Sequence, residues 1–291
     1  MIAIIAFNND KSYSFKEEES DAQKIHISSQ QLQILKNIEN HPNHSTLDNA
    51  KIIAIPGNVG KTQALMQLAK QGEELVGIDL SCEANNGVWD DSSKECVQGG
   101  IYLKDLDLSW DNIGRVVNAL SINFKGAMLL ESNFAGVFLM YANFHGARIV
   151  ETETVMSSFQ YSTLHNANFD SAMLRNIDFR EADLTGANFT SSYLENVKFG
   201  DNWNDEFFSK NRTEEEKRDL ILPTFFSGST LQRVEFTNTI NIFSFKEANL
   251  YNVEFNNSLL YLTNFSDPTL RDVSFKSVVC FFCMQLSKYD F

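Results

Sequence analysis

The sequence predicts a mainly β solenoid preceded by a small α+β domain, and three observations predict it. From Phe124 every fifth residue is large and apolar, as in Phe124, Leu129, Phe134, Leu139, Phe144 and Ile149, and the run continues to Phe199 with Thr154 as its one polar member. Two residues before each stands a mostly small one, such as Ala127, Ser132, Val137, Ala142 and Ala147. Neither the 3.6-residue period of a helix nor the 2-residue period of an ordinary strand fits this spacing. A fixed short period marks a solenoid, in which each unit buries its apolar face only by stacking on the next.

The elements follow in chain order. Residues 2–7 read as a strand, Asn8-Asn9-Asp10 as a turn, and 12–15 as a returning strand. Ser28 or Ser29 caps a helix carrying Leu32, Leu35 and Ile38, and residues 51–55 read as another strand closed by Pro56-Gly57. Residues 62–71 read as a helix terminated by Gly72. Together these give a small α+β domain over 1–100. In 101–121, Ile101, Leu103, Leu106 and Leu108 form an irregular coil. A capping helix over 111–120 follows, whose Ile113, Val116, Val117 and Leu120 make an i, i+3, i+4, i+7 stripe suited to closing an open solenoid end.

The first repeat block covers 122–199. Phe and Leu alternate at its central positions, and the alternation turns over after Thr154, since Phe stands at 124, 134 and 144 but then at 159, 169, 179, 189 and 199. A second code, Gly126, Gly136, Gly146, Asn166, Asn176, Gly186 and Asn196, keeps one ten-residue phase throughout. Gly and Asn tolerate positive φ, so this phase predicts one corner type. The expectation is a backbone that continues smoothly while the side-chain sizes change over within residues 151–155. An insertion, 200–223, projects from the solenoid and carries Thr213-Glu214-Glu215-Glu216, a capping box that starts a helix running to Leu222. The second block, 224–291, has Phe226, Leu231 and Phe236, slips by one residue between Thr237 and Ile242, and resumes as Phe245, Leu250, Phe255, Leu260, Phe265, Leu270 and Phe275. Each buried Leu or Phe contributes about 1.5–3 kcal/mol.

Ala182-Asp183-Leu184-Thr185-Gly186, Ala187-Asn188-Phe189-Thr190-Ser191 and Ala167-Asn168-Phe169-Asp170-Ser171 resemble the motif of the pentapeptide-repeat family, and Ala142-Asn143-Phe144 and Ala248-Asn249-Leu250 match its core. The resemblance covers residues 122 to about 277. It implies a right-handed quadrilateral parallel β-helix with four pentapeptides per coil, the central Leu or Phe and the small residue both pointing inward. It also implies a non-enzymatic scaffold or protein-binding module, of the kind found in bacterial secreted effectors that join a non-repeat N-terminal domain to pentapeptide coils. Another branch of the family, topoisomerase-protecting DNA mimics, supplies the alternative.

Charge bounds the partners. The formal net charge is −14, of which residues 1–120 carry −7, 121–199 carry −3, 200–225 carry −3 and the rest −1. Nucleic-acid binding is disfavoured by repulsion from phosphates, and the near-balanced repeat region weakens the DNA-mimic reading. A protein partner is expected, recognised through the acidic N-terminal domain and insertion. The chain shows no basic, apolar leader and no apolar run long enough to span a membrane. A cytoplasmic location is therefore expected, with secretion into a host cell as the alternative. Cys82, Cys96, Cys280 and Cys283 read as reduced or structural thiols, with a Cys82–Cys96 bridge reserved for an oxidising compartment.

Two motifs invite a chemical reading. Gly57-Asn58-Val59-Gly60-Lys61-Thr62 has the strand–loop–helix context of a phosphate cradle, but Ile55 stands where that motif needs its first glycine. A nucleotide-binding enzyme using residues 50–80 is thus the second alternative, behind an ordinary turn. Lys125, His145, His165 and Thr185 lie 20 residues apart, so equal coils would stack them in one outward column. No carboxylate or cysteine of that column completes a ligand set, and no catalytic, cofactor-binding or metal-binding residue is expected. After Phe275 the repeat decays, which predicts either end-to-end dimerisation through 276–291, a fold-back lid, or a shortened relative of a longer protein.

Overall fold

The computed structural model describes residues 44–150, 157–200, 223–281 and 283. The expected strands at 2–7 and 12–15, the helix around Leu32, the helix over 213–222 and the weak centre Thr154 lie outside these residues. Within them, parallel strands stack into one long ladder. Met128–Leu130 lies on Arg148–Val150 at a 20-residue offset, and Met173–Asp178 lies on Tyr193–Gly200 at the same offset. Strand Tyr102–Lys104 pairs with Met128–Leu130 at an offset of 26, and from Met128 onward three steps depart from 20. Arg148 pairs with Met173, 25 residues on; Tyr193 pairs with Thr230, 37 on; Thr230 pairs with Asn249, 19 on. The second departure is the insertion and the third is the one-residue slip, both legible in the sequence. The first corrects an expectation: around residue 154 the coil takes in five extra residues.

That extra unit explains the change of alternation. Phe124, Phe144, Phe169, Phe189, Phe226, Phe245 and Phe265 form one column of parallel rings, with centroids 4.7–5.3 Å apart. Phe134, Phe159, Phe179, Phe199, Phe236, Phe255 and Phe275 form a second column over the same range of spacings, 4.8–5.3 Å. The columns meet edge-on across the interior, for example at 5.7 Å between Phe169 and Phe179. Coils of equal length would have set Phe144 over Leu164. The five added residues bring Phe169 beneath it instead, so ring sizes never change over. Ring stacking contributes about 0.5–1.5 kcal/mol per pair beyond area burial, and a column of constant width keeps each ring in contact with the next.

The corners follow the same five-residue beat. Ser121, Gly126, Glu131, Gly136, Tyr141 and Gly146 all have positive φ, as do Tyr161, Asn166, Ser171, Asn176 and Glu181. The Gly/Asn phase therefore does not mark a separate corner type, since the residues between its members turn the chain the same way. Outward, an asparagine ladder runs along one face. Asn123 donates to Asp79 at 3.0 Å, Asn143 to Asn123 at 3.1 Å, Asn168 to Asn143 at 3.3 Å and Asn188 to Asn168 at 3.3 Å. Each Oδ1 also accepts the backbone N–H two residues on, as from Lys125 at 3.1 Å and His145 at 3.1 Å. This double duty explains why Asn or Asp precedes the central residue so often: the side chain both makes its corner and ties it to the next coil.

The N-terminal part differs from expectation in three ways. Residues 51–54 are not a strand but the end of helix α1 (His44–Ala54), whose Ala50, Ile53 and Ala54 bury one helical face. The β-branched pair Ile52-Ile53 carries the strand signal, and packing overrides it. Helix α2 (Lys61–Gln71) matches the reading of 62–71, and Gly72 ends it at φ 87. The expected helix over 111–120 is a single turn, α3 (Trp110–Ile113), stopped by Gly114 at φ 78. Beyond it Val117 and Ala119 alternate inward as coil, and Phe138 donates its N–H to the Val117 carbonyl at 3.0 Å. Residues 75–82 are also coil. Leu80 and Cys82 donate to Asn123 and Lys125 at 2.7 and 2.8 Å, so the solenoid begins well before 122. Its first end is closed by α2, which packs on strand Tyr102–Lys104 and on α3 and whose Leu65 and Leu68 share one core with Leu75 and Leu103.

Candidate functional site

The two places the sequence marks for chemistry resolve differently. The loop before α2 follows a helix rather than a strand, and its Lys61 points inward, 1 % exposed. The ammonium donates to the Ile53 carbonyl at 3.0 Å and to Asn85 Oδ1 at 2.5 Å. Burial lowers its pKa to about 8 against the supporting charge of Asp79. Lys61 therefore locks α2 to the first coil, and its donors face protein oxygens rather than a phosphate.

The histidine stripe is split by the 25-residue coil. His145 lies over Asp170, with Nδ1 3.0 Å from a carboxylate oxygen. His165 belongs to the next face, where its Nε2 lies 2.5 Å from Asp183 Oδ2. Lys125 shares the His145 face and Thr185 the His165 face, where Thr185 donates to Asp183 Oδ1 at 2.7 Å. The hydrogen bond to Asp183 raises the His165 pKa. Burial works to raise the Asp183 carboxyl, but the hydrogen bonds from His165 and Thr185 outweigh it and hold that group below its ordinary range. Each histidine has one carboxylate, and no cluster of three metal-ligating side chains occurs among the described residues.

A feature the sequence reading missed covers the His145 corner. Strands β1 (Val88–Asp90) and β2 (Glu95–Gln98) form an antiparallel hairpin that folds back over the coils. Its Trp89 ring centroid is 5.2 Å from that of His145, and Lys125 Nζ sits 4.4 Å above the indole. Gly126 and Gly146 make room for this ring, since a Cβ on Gly126 would lie 2.9 Å from Trp89 and one on Gly146 would lie 2.6 Å from the Lys94 carbonyl. Ion pairs Lys125–Glu83 at 2.5 Å and Arg148–Glu95 at 3.2 Å pin the edges. A disulfide joins Cys82 of the first coil to Cys96 of β2, with Cα atoms 5.8 Å apart, and another joins Cys280 to Cys283. These bridges replace the reduced thiols the sequence suggested: the hairpin returns Cys96 to Cys82, and Cys280 and Cys283 lie with their Cα atoms 5.9 Å apart.

A second feature the sequence reading missed is the long ladder face. One outward column runs Tyr102, Met128, Arg148, Met173, Tyr193, Thr230. The other runs Lys104, Leu130, Val150, Arg175, Glu195, Gln232, Tyr251, Arg271. At its centre Glu195, 8 % exposed, receives Arg175 Nε at 2.5 Å, the Arg233 guanidinium, and the Tyr193 hydroxyl at 3.3 Å. Tyr193 also reaches Gln232 at 3.1 Å. Burial pushes the Glu195 carboxyl up, but the hydrogen bond and charge of Arg175 and the charge of Arg233 prevail and hold it below its ordinary range. Arg233 sits at a corner with φ 53, where the neighbouring coils place Asn196 and Asn252. Its long side chain is what brings a second guanidinium onto Glu195.

Comparison with family profiles agrees with the repeat. A family profile described as pentapeptide repeats (8 copies) matches residues 162–201. No curated protein sequence matches. Among solved structures, a trypsin-treated form of QnrB1, a plasmid-mediated fluoroquinolone resistance protein, is 15% identical, covers 62% of this chain and 91% of its own, and has a TM-score of 0.35. HetL from Nostoc sp. strain PCC 7120, a pentapeptide repeat protein involved in heterocyst differentiation regulation, is 13% identical over 78% of this chain and 94% of its own, with a TM-score of 0.23. Rfr23, a pentapeptide repeat protein from Cyanothece 51142, is 12% identical over 75% of this chain and 97% of its own, with a TM-score of 0.18. The repeat motif and the family profile agree on one stretch: residues 162–201 are pentapeptide repeats of that family, and the coils stacked on either side keep the same five-residue beat.

Proposed function

We propose that this protein is a non-enzymatic scaffold that binds a protein partner on the outside of a right-handed quadrilateral β-helix. The observation that carries the reading is the interior. Two unbroken columns of phenylalanine rings at 4.7–5.3 Å fill the coils, so recognition falls to the outer faces. The groups that suggest chemistry in the sequence have structural work: Lys61 bonds Ile53 and Asn85, and the histidines pair with Asp170 and Asp183. The long face offers Arg, Tyr and Met side chains, the types enriched where proteins meet. The DNA-mimic alternative calls for rows of carboxylates spaced like phosphates, and this face presents guanidinium groups instead. Bacterial secreted effectors remain the family type that fits the chain's organisation. No helix among the described residues is long and apolar enough to cross a membrane. For location we keep the cytoplasmic reading beside secretion into a host cell; the Cys82–Cys96 bridge would persist only in an oxidising compartment. Self-association through the last coils belongs to the same proposal, because Val279 and Phe281 stand half-exposed there.

The test uses the whole chain, since residues 75–82 pair with 118–125 and a cut at residue 100 would split the first coil. The full chain is immobilised and challenged with candidate proteins, and in parallel titrated with ATP and GTP. Saturable capture of a protein, with no nucleotide heat, is the expected result. Saturable nucleotide binding that disappears in Lys61→Met would overturn the scaffold reading in favour of an enzyme.

A further inference from the structure

The long ladder face is cationic in a chain of formal net charge −14. Its two outward columns hold Lys104, Arg148, Arg175 and Arg271 against the single carboxylate of Glu195. The outer cations have exposed partners: Lys104 meets Glu131 at 3.4 Å, Arg148 meets Glu95 at 3.2 Å and Arg271 meets Asp272 at 3.7 Å. Exposed pairs of this kind contribute little to stability and exchange readily for another carboxylate. The centre is different. Arg175 and Arg233 share Glu195, so two guanidiniums meet one carboxylate and a positive charge is left over. Both side chains are about half exposed, 47% and 52%. Arg175 spends only its Nε on Glu195, and its terminal nitrogens make no hydrogen bond among the described residues. Glu195 thus acts as a buried anchor that holds two donors forward, each able to take a further carboxylate in the paired geometry guanidinium favours.

Resting on the scaffold reading, we infer that this face binds an extended acidic segment of a protein partner. Lys104 and Arg271 stand seven strand steps apart, about 34 Å at ~4.8 Å per step. A segment of roughly ten extended residues at ~3.4 Å each covers that length. Its carboxylates meet Lys104, the Arg175–Arg233 pair and Arg271, while apolar residues between them rest on Leu130, Val150 and Tyr251. A nucleic acid would use the same guanidiniums through phosphate. The net charge of −14 repels it at long range, and the apolar strip between the cations suits side chains rather than phosphates.

The experiment is fluorescence anisotropy with the full chain. The probe is a fluorescein-labelled 12-residue peptide alternating Glu and Leu, run beside the same peptide with Lys for Glu and a labelled 12-nucleotide single strand. Saturable binding of the acidic peptide alone is expected, weakening steeply between low and high salt. The double variant Arg175→Gln/Arg271→Glu lowers the affinity about tenfold or more. Arg271 is 77% exposed and Glu195 keeps Arg233 and Tyr193, so the variant stays folded, which a melting curve checks. Absence of binding, equal binding by the variant, or tighter binding of the oligonucleotide overturns the inference. If a protein partner is captured equally by the unmodified chain and the variant, the scaffold reading stands and only the assignment of this face fails.

Discussion

Phe169→Ala is the sharpest test of the interior. The ring is fully buried and stacks at 4.7 Å on Phe144 and at 4.7 Å on Phe189, with interplanar angles of 1° on both sides. It also meets Phe159 and Phe179 edge-on at 5.9 and 5.7 Å. Emptying a core Phe site costs about 3–5 kcal/mol. Four ring contacts, each worth ~0.5–1.5 kcal/mol beyond area, put this position at the upper end. Adjacent coils are rigid ladders and cannot collapse into the gap, which works the same way. The matched control is Phe138→Ala, since Phe138 stands outward on the same solenoid and is 47% exposed. Its loss is expected to cost under about 1 kcal/mol. Urea unfolding followed by circular dichroism measures both, with equal m-values as the check that the transition is unchanged. A Phe169→Ala cost under about 1 kcal/mol, or one equal to that of Phe138→Ala, would refute the stacked-column core.

Further outcomes follow from the same geometry. Deleting residues 151–155 converts the 25-residue coil to 20 and leaves both Phe columns in register, so the deletion keeps a cooperative melt, whereas deleting 166–170 abolishes it; equal effects would contradict the five-residue insertion. Gly146→Ala brings a Cβ against Trp89 and the Lys94 carbonyl, while Gly136→Ala meets only Trp110 at 3.9 Å. Both pay about 1 kcal/mol for positive φ, so only Gly146→Ala loses substantially more and shifts the tryptophan emission; parity would mean that the hairpin does not sit there. His165 has its pKa raised by Asp183, so the pair stabilises the fold fully below the ordinary histidine pKa and loses that contribution as pH rises through the folded value. His165→Gln therefore lowers the melting temperature more at about pH 5.5 than at about pH 8.5, and a pH-independent difference would discount the pair.

Much of this structure is legible in the sequence because a solenoid writes its spacing directly into the chain. Among the described residues every fifth one from Phe124 to Phe199 is inward, and the insertion and one-residue slip show up as breaks in the count. The misreadings have physical causes. Thr154 reads as a weak centre in an unbroken run, because one added unit of five preserves the five-residue phase while shifting the stacking by a quarter-turn's worth of chain. That single shift moved His165 off the His145 column. Residues 75–82 and 101–108 belong to coils but lack the regular motif, since their neighbours on one side are the helices of the cap rather than another repeat. Val116-Val117 mimics a helical stripe over a stretch that Gly114 interrupts. The hairpin clasp needs Trp89, Gly126 and Gly146 to be seen together; only the glycine phase hinted at it. The Arg175–Glu195–Arg233 cluster joins residues 20 and 38 apart, and the second spacing includes the insertion, so no fixed period could have shown it.

The register around the five-residue insertion decides the whole surface, and it can be measured with one pair of engineered cysteines at a time. In the stacked coils residue 145 lies over residue 170, as the His145–Asp170 contact of 3.0 Å and the Gly146 N–H donation to the Asp170 carbonyl at 2.9 Å show. Neighbours one strand step apart, at ~4.8 Å, fall within disulfide range. The variant His145→Cys/Asp170→Cys, mapped by peptide mass spectrometry after mild oxidation, is expected to form the new bridge, and His145→Cys/His165→Cys is not. A bridge between 145 and 165 in preference to 145 and 170 would contradict the 25-residue coil and, with it, the continuous phenylalanine columns.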